Sequence, residues 1–156
     1  MKLLRKQETF ELKGRVKVTL IGPDGKIKQQ HENHNLVVTV GKTFLANWLT
    51  AATQSTPFMS YVGLGTSTTP AASGDTTLGT ELVGGGYSRQ QGALTNSSNV
   101  WTNTVTFAPG NGTAAITEAG LFSASTSGTM FAHQVLAAYN KQAGDTLIIA
   151  WSVTFN

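Results

Sequence analysis

The chain has no cysteine, which excludes disulfides, thiolate metal sites and thiol nucleophiles. It is also poor in charge. Asp, Glu, Lys and Arg make up 12% of its 156 residues, about half the ~25% of ordinary globular domains. Ser, Thr, Gly and Asn take up the difference. No run approaches the ~20 consecutive apolar residues that a membrane helix needs, so no membrane partner is expected. Residues 1–8 are basic but have no apolar run behind them, so no secretory signal is visible, and a soluble protein made in a cytoplasm is expected. With 40% apolar residues the chain is neither disordered nor a coiled coil. Its length is that of one domain, long enough to bury a core without staples.

What charge there is lies at one end. Residues 1–32 carry eight basic side chains (Lys2, Arg5, Lys6, Lys13, Arg15, Lys17, Lys26, Lys28) against four acidic ones (Glu8, Glu11, Asp24, Glu32). The remainder carries three basic (Lys42, Arg89, Lys141) against four acidic (Asp75, Glu81, Glu118, Asp145). This divides the chain into a basic arm and hairpin, 1–32, and a β-sandwich domain, 33–156, within one compact unit.

Val16, Val18 and Leu20 alternate with Arg15, Lys17 and Thr19, the period of a half-buried strand. Pro23 and Gly25 then make a turn, and a polar strand returns from Lys26. A short strand is expected near Leu36. Phe44, Leu45, Trp48, Leu49 and Ala52 share one face of a 3.6-residue period, which predicts a helix at about 41–53. Beyond it, strands are predicted at 58–64, 100–107, 114–117, 120–124, 129–136 and 146–155, with one turn of helix at 75–82. Gly65 to Gly86 is long for a loop, and such loops are usually functional. Many short strands with Gly/Ser/Asn turns imply an all-β fold, a jelly-roll-like β-sandwich with one short helix. Trp48, Trp101, Trp151 and Phe155 sit in the periodic patterns and are expected in the core.

No motif carries catalysis. His31 and His34 are spaced i, i+3, whereas a zinc-binding helix needs i, i+4, so no metal site is predicted. The acids beyond the arm are isolated rather than paired for hydrolysis. Glu118 lies between Ile116 and Leu121, where a charge must find a partner; Arg89, the one arginine outside the arm, is predicted to supply it in a structural ion pair. Neither Gly63-Leu-Gly65 nor Gly84-Gly-Gly86 has the spacing of a phosphate cradle. Eight cations interleaved with four acids, and Phe10 alone for stacking, argue against nucleic acid. Lys2, Arg5, Lys6, Lys13, Arg15 and Lys17 are instead expected to meet an acidic protein surface, and the hairpin edge to extend a partner's sheet.

A succession of segments carries a resemblance. Asn35-Leu-Val-Val-Thr-Val-Gly41 leads into the helix. Tyr61-Val-Gly-Leu-Gly-Thr-Ser-Thr-Thr-Pro-Ala-Ala-Ser-Gly-Asp-Thr-Thr-Leu-Gly-Thr-Glu81 follows, then Ile116-Thr-Glu-Ala-Gly-Leu-Phe122, Gly128-Thr-Met-Phe-Ala132 and Ala143-Gly-Asp-Thr-Leu-Ile-Ile-Ala-Trp-Ser-Val-Thr-Phe155. Over about residues 35–156 the chain resembles small virion structural proteins of tailed bacteriophages. The resemblance implies a non-enzymatic virion component made in the host cytoplasm, with no catalytic residues or cofactor. The partners it implies are the major capsid protein or other virion proteins, and further copies of itself in a dimer or trimer. The first expectation is a capsid decoration (cement) protein, because one compact domain has no coiled-coil shaft. The alternative is a tail or tail-fibre domain binding host-surface polysaccharide, with Tyr61, Tyr87 or Tyr139 as an aromatic platform.

Overall fold

In the last strand Leu147, Ile149, Trp151 and Val153 are fully buried while their neighbours are partly exposed, the mark of a strand covered on one face. The computed structural model describes residues 11–50 and 59–156. Its elements run β1 (Leu12–Ile21), β2 (Ile27–His34), β3 (Leu36–Val37), α1 (Thr39–Thr50), β4 (Tyr61–Gly65), β5 (Gln90–Gln91), β6 (Ala93–Ser97), β7 (Val100–Phe107), β8 (Ala114–Phe122), β9 (Met130–Lys141) and β10 (Thr146–Phe155). They form two five-stranded antiparallel sheets, β2-β1-β10-β7-β6 and β3-β9-β8-β4-β5. The fold is an all-β sandwich with one short helix.

The core lies between the sheets. Val16, Val18, Phe107, Ile149 and Trp151 from the first sheet share one cluster with Val62, Leu121, Phe131 and Tyr139 from the second. The hairpin of residues 12–34 is no separate arm: β1 pairs with β10 from Leu12↔Phe155 to Ile21↔Thr146, and Val16 and Val18 have no exposure. A boundary at residue 32 therefore does not separate two packing units.

The two sheets are covered differently. Among the described residues nothing packs on the outer face of the first, and β10 keeps a clean alternation. The second is covered on both faces, and β8 is buried from Ile116 to Phe122 without interruption. A small second cluster, Val38, Leu78, Phe122 and Met130, seats Leu78 of the long 66–89 connection on that outer face. Helix α1 packs along β9, where Gly41 touches the Phe131 backbone so closely that a Cβ would stand 2.5 Å from its carbonyl oxygen. Only glycine permits that approach.

Several local expectations change. The helix begins at Thr39 rather than 41 and is described as far as Thr50; residues 51–53 of the predicted span lie outside the described residues. Its apolar stripe is only half used, since Leu45 is buried but Leu49 is 69% exposed. The segments 114–117 and 120–124 are one strand, β8, with irregular register at Ile116/Glu118 and Leu121/Phe122. No helical turn forms at 75–82, because the amides of Gly79 and Thr80 bond to Glu118 instead. Strands β5 and β6 were not foreseen, being polar and lacking apolar alternation.

Trp151 has no exposure and sits in the middle of the central strand. Trp151→Ala is expected to cost about 3–5 kcal/mol, the range for emptying a large aromatic site, out of a total of about 5–15 kcal/mol for a domain. Urea unfolding of the purified variant measures it; wild-type stability would show that the cavity collapses or that the site is not core.

Candidate functional site

The chemically richest region is where the long connection crosses the second sheet. Glu118 of β8 points outward from that sheet, beneath the connection, and has no exposure. An unpaired carboxylate there would be prohibitive. Glu118 Oε1 accepts from the Ser67 N–H at 3.1 Å and the Thr80 N–H at 2.8 Å; Oε2 accepts from the Gly79 N–H at 3.0 Å. Thr117 Oγ1 donates to the Ser67 carbonyl at 2.9 Å. One carboxylate thus replaces the backbone partners that both ends of an irregular loop would otherwise lack. Gly65, opposite Glu118 in the sheet, leaves the room: a Cβ there would lie 2.3 Å from Glu118 Oε1 and 2.5 Å from the Thr80 carbonyl oxygen.

His133 of β9 completes the cluster. Its Nε2 lies 3.1 Å from Glu118 Oε2 and its Nδ1 2.7 Å from Asp75 Oδ2. Both ring nitrogens are thus engaged by carboxyl groups. Asp75 Oδ2 also accepts from the Ala72 N–H at 2.8 Å. That amide, then His133, hold the Asp75 carboxyl below the ordinary aspartate value, against the opposing effect of burial. A polar cleft of about 350 Å³ lies beside the cluster, lined by Ser67, Thr69, Asp75, Thr76, Thr77 and His133 among others. Among the described residues, no group of three or more His, Asp or Glu side chains is placed to hold a metal ion.

Arg89 secures the far end of the connection. Its Nε donates to Glu81 Oε1 at 2.6 Å and its Nη2 to Glu81 Oε2 at 2.8 Å, a bidentate pair. Nη1 reaches the carbonyls of Ala124 and Ser127 in the β8–β9 turn. The guanidinium lies 3.4 Å from the Phe122 ring centroid, a cation–π contact. The expected Arg89–Glu118 pair is therefore not formed. Glu81, eight residues before Arg89, reaches the guanidinium first, and Glu118 is taken by loop amides and His133.

A third cluster ties β2 to the β9–β10 turn. Lys28 Nζ donates to Asp145 Oδ2 at 2.8 Å, and the same oxygen accepts from the Gln142 N–H at 2.9 Å. The Lys28 hydrogen bond, then the Gln142 amide, hold the Asp145 carboxyl below its ordinary value. Burial pushes the Lys141 amine down, with Asp145 pulling it back. His31 faces inward and contacts the Tyr139 hydroxyl at 3.1 Å, while His34 pairs with Arg15 on the outer face. A spacing of three puts them on opposite faces of a strand.

The family model of the podophage GP4 fiber I protein gp80 matches residues 37–153. The chain belongs to this family. It is a structural protein of a tailed-phage virion. No curated protein and no solved structure matches it. The gp80 match takes in β8, β9 and the whole clamped connection but begins after β1 and β2, although those strands complete the first sheet.

The residues expected to bind a partner are divided by the fold. Lys2, Arg5 and Lys6 lie outside the described residues. Lys13, Arg15 and Lys17 occupy alternate positions on β1 and share its exposed outer face; Arg15 pairs with Glu32 at 2.8 Å and Lys13 with Glu11 at 3.3 Å. Trp151 is in the core, while Trp48, Trp101 and Phe155 are half-buried. Tyr87 and Tyr139 are buried, at 3% and 0% exposure. The three tyrosines therefore make no surface platform: Tyr139 lies on the inner face of β9, and Tyr87, in the connection, packs into the core beside Phe107. His133, Asp75 and Glu81 escaped the sequence reading. The one signal for His133 was a lone histidine after Met130-Phe-Ala132 in an apolar strand.

Glu118→Ala leaves three loop amides and His133 without their acceptor. The expected loss is about 3–5 kcal/mol, with fast hydrogen exchange over residues 66–80. Urea unfolding and exchange mass spectrometry measure both, and unchanged protection of the loop would contradict the clamp.

Asp75 and Asp145 also set the acid limb of stability. Their folded-state values are depressed, so each contributes stability that is fully present above the ordinary aspartate value and lost as pH falls through the folded one. Asp75→Asn and Asp145→Asn are expected to flatten the fall in urea midpoint below about pH 4. A fall as steep as that of wild type would assign it to other groups.

Proposed function

We propose that the chain is a fibre module of a podophage virion, not a capsid cement protein, and that it works by holding position and binding other virion proteins without chemistry. The gp80 match over residues 37–153 carries the reading. The decoration reading rested on the lack of an elongated shaft, but a compact sandwich serves equally as one globular unit of a fibre built from several chains. A non-enzymatic role agrees with the Glu118–His133–Asp75 cluster, whose polar atoms are spent on the loop and on one another.

Attachment to a neighbouring virion protein falls to the basic end. Lys13, Arg15 and Lys17 present three cations at two-residue intervals on an exposed sheet face, about 6.6 Å apart along the strand. Such a row suits an acidic protein surface, with Lys2, Arg5 and Lys6 preceding it in sequence. Contacts of exposed charges weaken with salt.

Cryo-electron microscopy of intact virions tests the location: density for this sandwich is expected in a fibre, and density on the capsid lattice would restore the cement reading. Replacing Lys13, Arg15 and Lys17 by Gln is expected to lower incorporation at least tenfold while the free protein keeps its fold by circular dichroism, since the exposed pairs these cations make with Glu11 and Glu32 contribute little to stability. Full incorporation of that variant would move the attachment elsewhere.

A further inference from the structure

Exposed sheet edges invite pairing, and proteins guard them with charge, proline, shortness or bulges. Among the described residues, three of the four sheet edges are guarded. Strands β3 and β5 are two residues long, and β2 carries Lys28 and Glu32. The fourth is β6: all five of its residues are exposed, and it has no charge, no proline and no break in register with β7.

A second observation meets the first on the same patch. No charged residue occurs between Arg89 and Glu118, nor within β10. The register carries this neutrality across the outer face. Thr95 of β6 lies opposite Thr102 of β7, which lies opposite Ser152 of β10, and the row meets its first charge at Arg15 of β1. The next row runs Ala93, Thr104, Ala150 and then Lys17. Half of this face is thus uncharged and hydroxyl-bearing, with Ile148 and Val100 among the threonines and serines, and the other half is charged.

From these two observations we infer that the β10–β7–β6 half of this face, with the β6 edge, is the contact surface between copies of this chain. A symmetric contact places each patch against its own copy, so any charge near the axis meets itself; a charge-free patch is what such a contact requires. Specific interfaces also deplete charge at their centre. A charged partner would find nothing complementary here, whereas the β1 row offers it cations. Three strands about 4.8 Å apart and up to eight residues long at about 3.3 Å per residue give a footprint of at most about 400 Å² per copy, below the range of stable specific interfaces and within that of transient contacts. The isolated pair is therefore weak, and repetition on a virion supplies avidity. The inference takes its setting from the fibre reading, but its test is independent of where the protein sits on the virion.

Sedimentation equilibrium of the full chain between about 1 µM and about 1 mM covers the range of a weak pair. Wild type is expected to associate reversibly. Thr104→Lys and Thr95→Lys, both exposed on this patch, are each expected to weaken association at least tenfold while keeping the wild-type melting temperature. Thr126→Lys, in the exposed β8–β9 turn, is expected to change nothing. A wild type that stays monomeric at the highest concentration overturns the inference and assigns the patch to a different virion protein. Association undiminished in both patch variants, or diminished equally by Thr126→Lys, overturns it as well. None of these outcomes bears on the microscopy that tests the fibre reading.

Discussion

One buried carboxylate governs the architecture of the second sheet. Glu118 has no exposure, and its position is tolerable only because donors from the loop and from His133 surround it. The dependence runs both ways. The loop amides of Ser67, Gly79 and Thr80 have an acceptor because Glu118 is there, and the Glu118 carboxyl is tolerated in the interior because the loop is there. Such an arrangement contributes specificity more than net stability, since a buried ion loses as much hydration as it gains in attraction. It selects one path for a chain of Thr, Gly, Ala and Pro that has no regular structure of its own.

The rest of that face follows from the clamp. With the loop held at Glu118 and again at the Arg89–Glu81 pair, Leu78 is delivered onto Phe122 and Met130 to make the second small core. The long connection is therefore a third layer over the sheet rather than a free lid. Among the described residues, the first sheet receives no such cover. Its outer face remains available, divided between a row of cations on β1 and a neutral hydroxyl surface on β10, β7 and β6.

The N-terminal hairpin illustrates how charge and packing are shared within one strand. Lys13, Arg15 and Lys17 make residues 12–20 look like a basic arm, yet Val16, Val18 and Leu20 between them are core. Period-two alternation lets one segment serve as both surface and interior. The gp80 match begins beyond this hairpin, but the sandwich needs β1 to cover β10, whose Trp151 lies opposite Val16.

Strands with strict alternation were legible from the sequence: β1, β7 and β10 carry their faces in their residue order, and each packs against a partner on one side only. The all-β class, the Pro23–Gly25 turn and the existence of a helix followed from the same local rules. Segments covered on both faces were harder to read. Burial of β8 from Ile116 to Phe122 erases the alternation, and Glu118 there signals a buried partner without naming it. Arg89 was the plausible choice by elimination, but partner choice depends on which groups the fold brings within hydrogen-bond distance, and the chain brought His133 and three amides. Nor do the polar strands β5 and β6 announce themselves, because their conformation comes from pairing with neighbours distant in sequence. Local periodicity records which face of a strand meets the core; which charges meet each other is decided only when the sheets close and the loop crosses them.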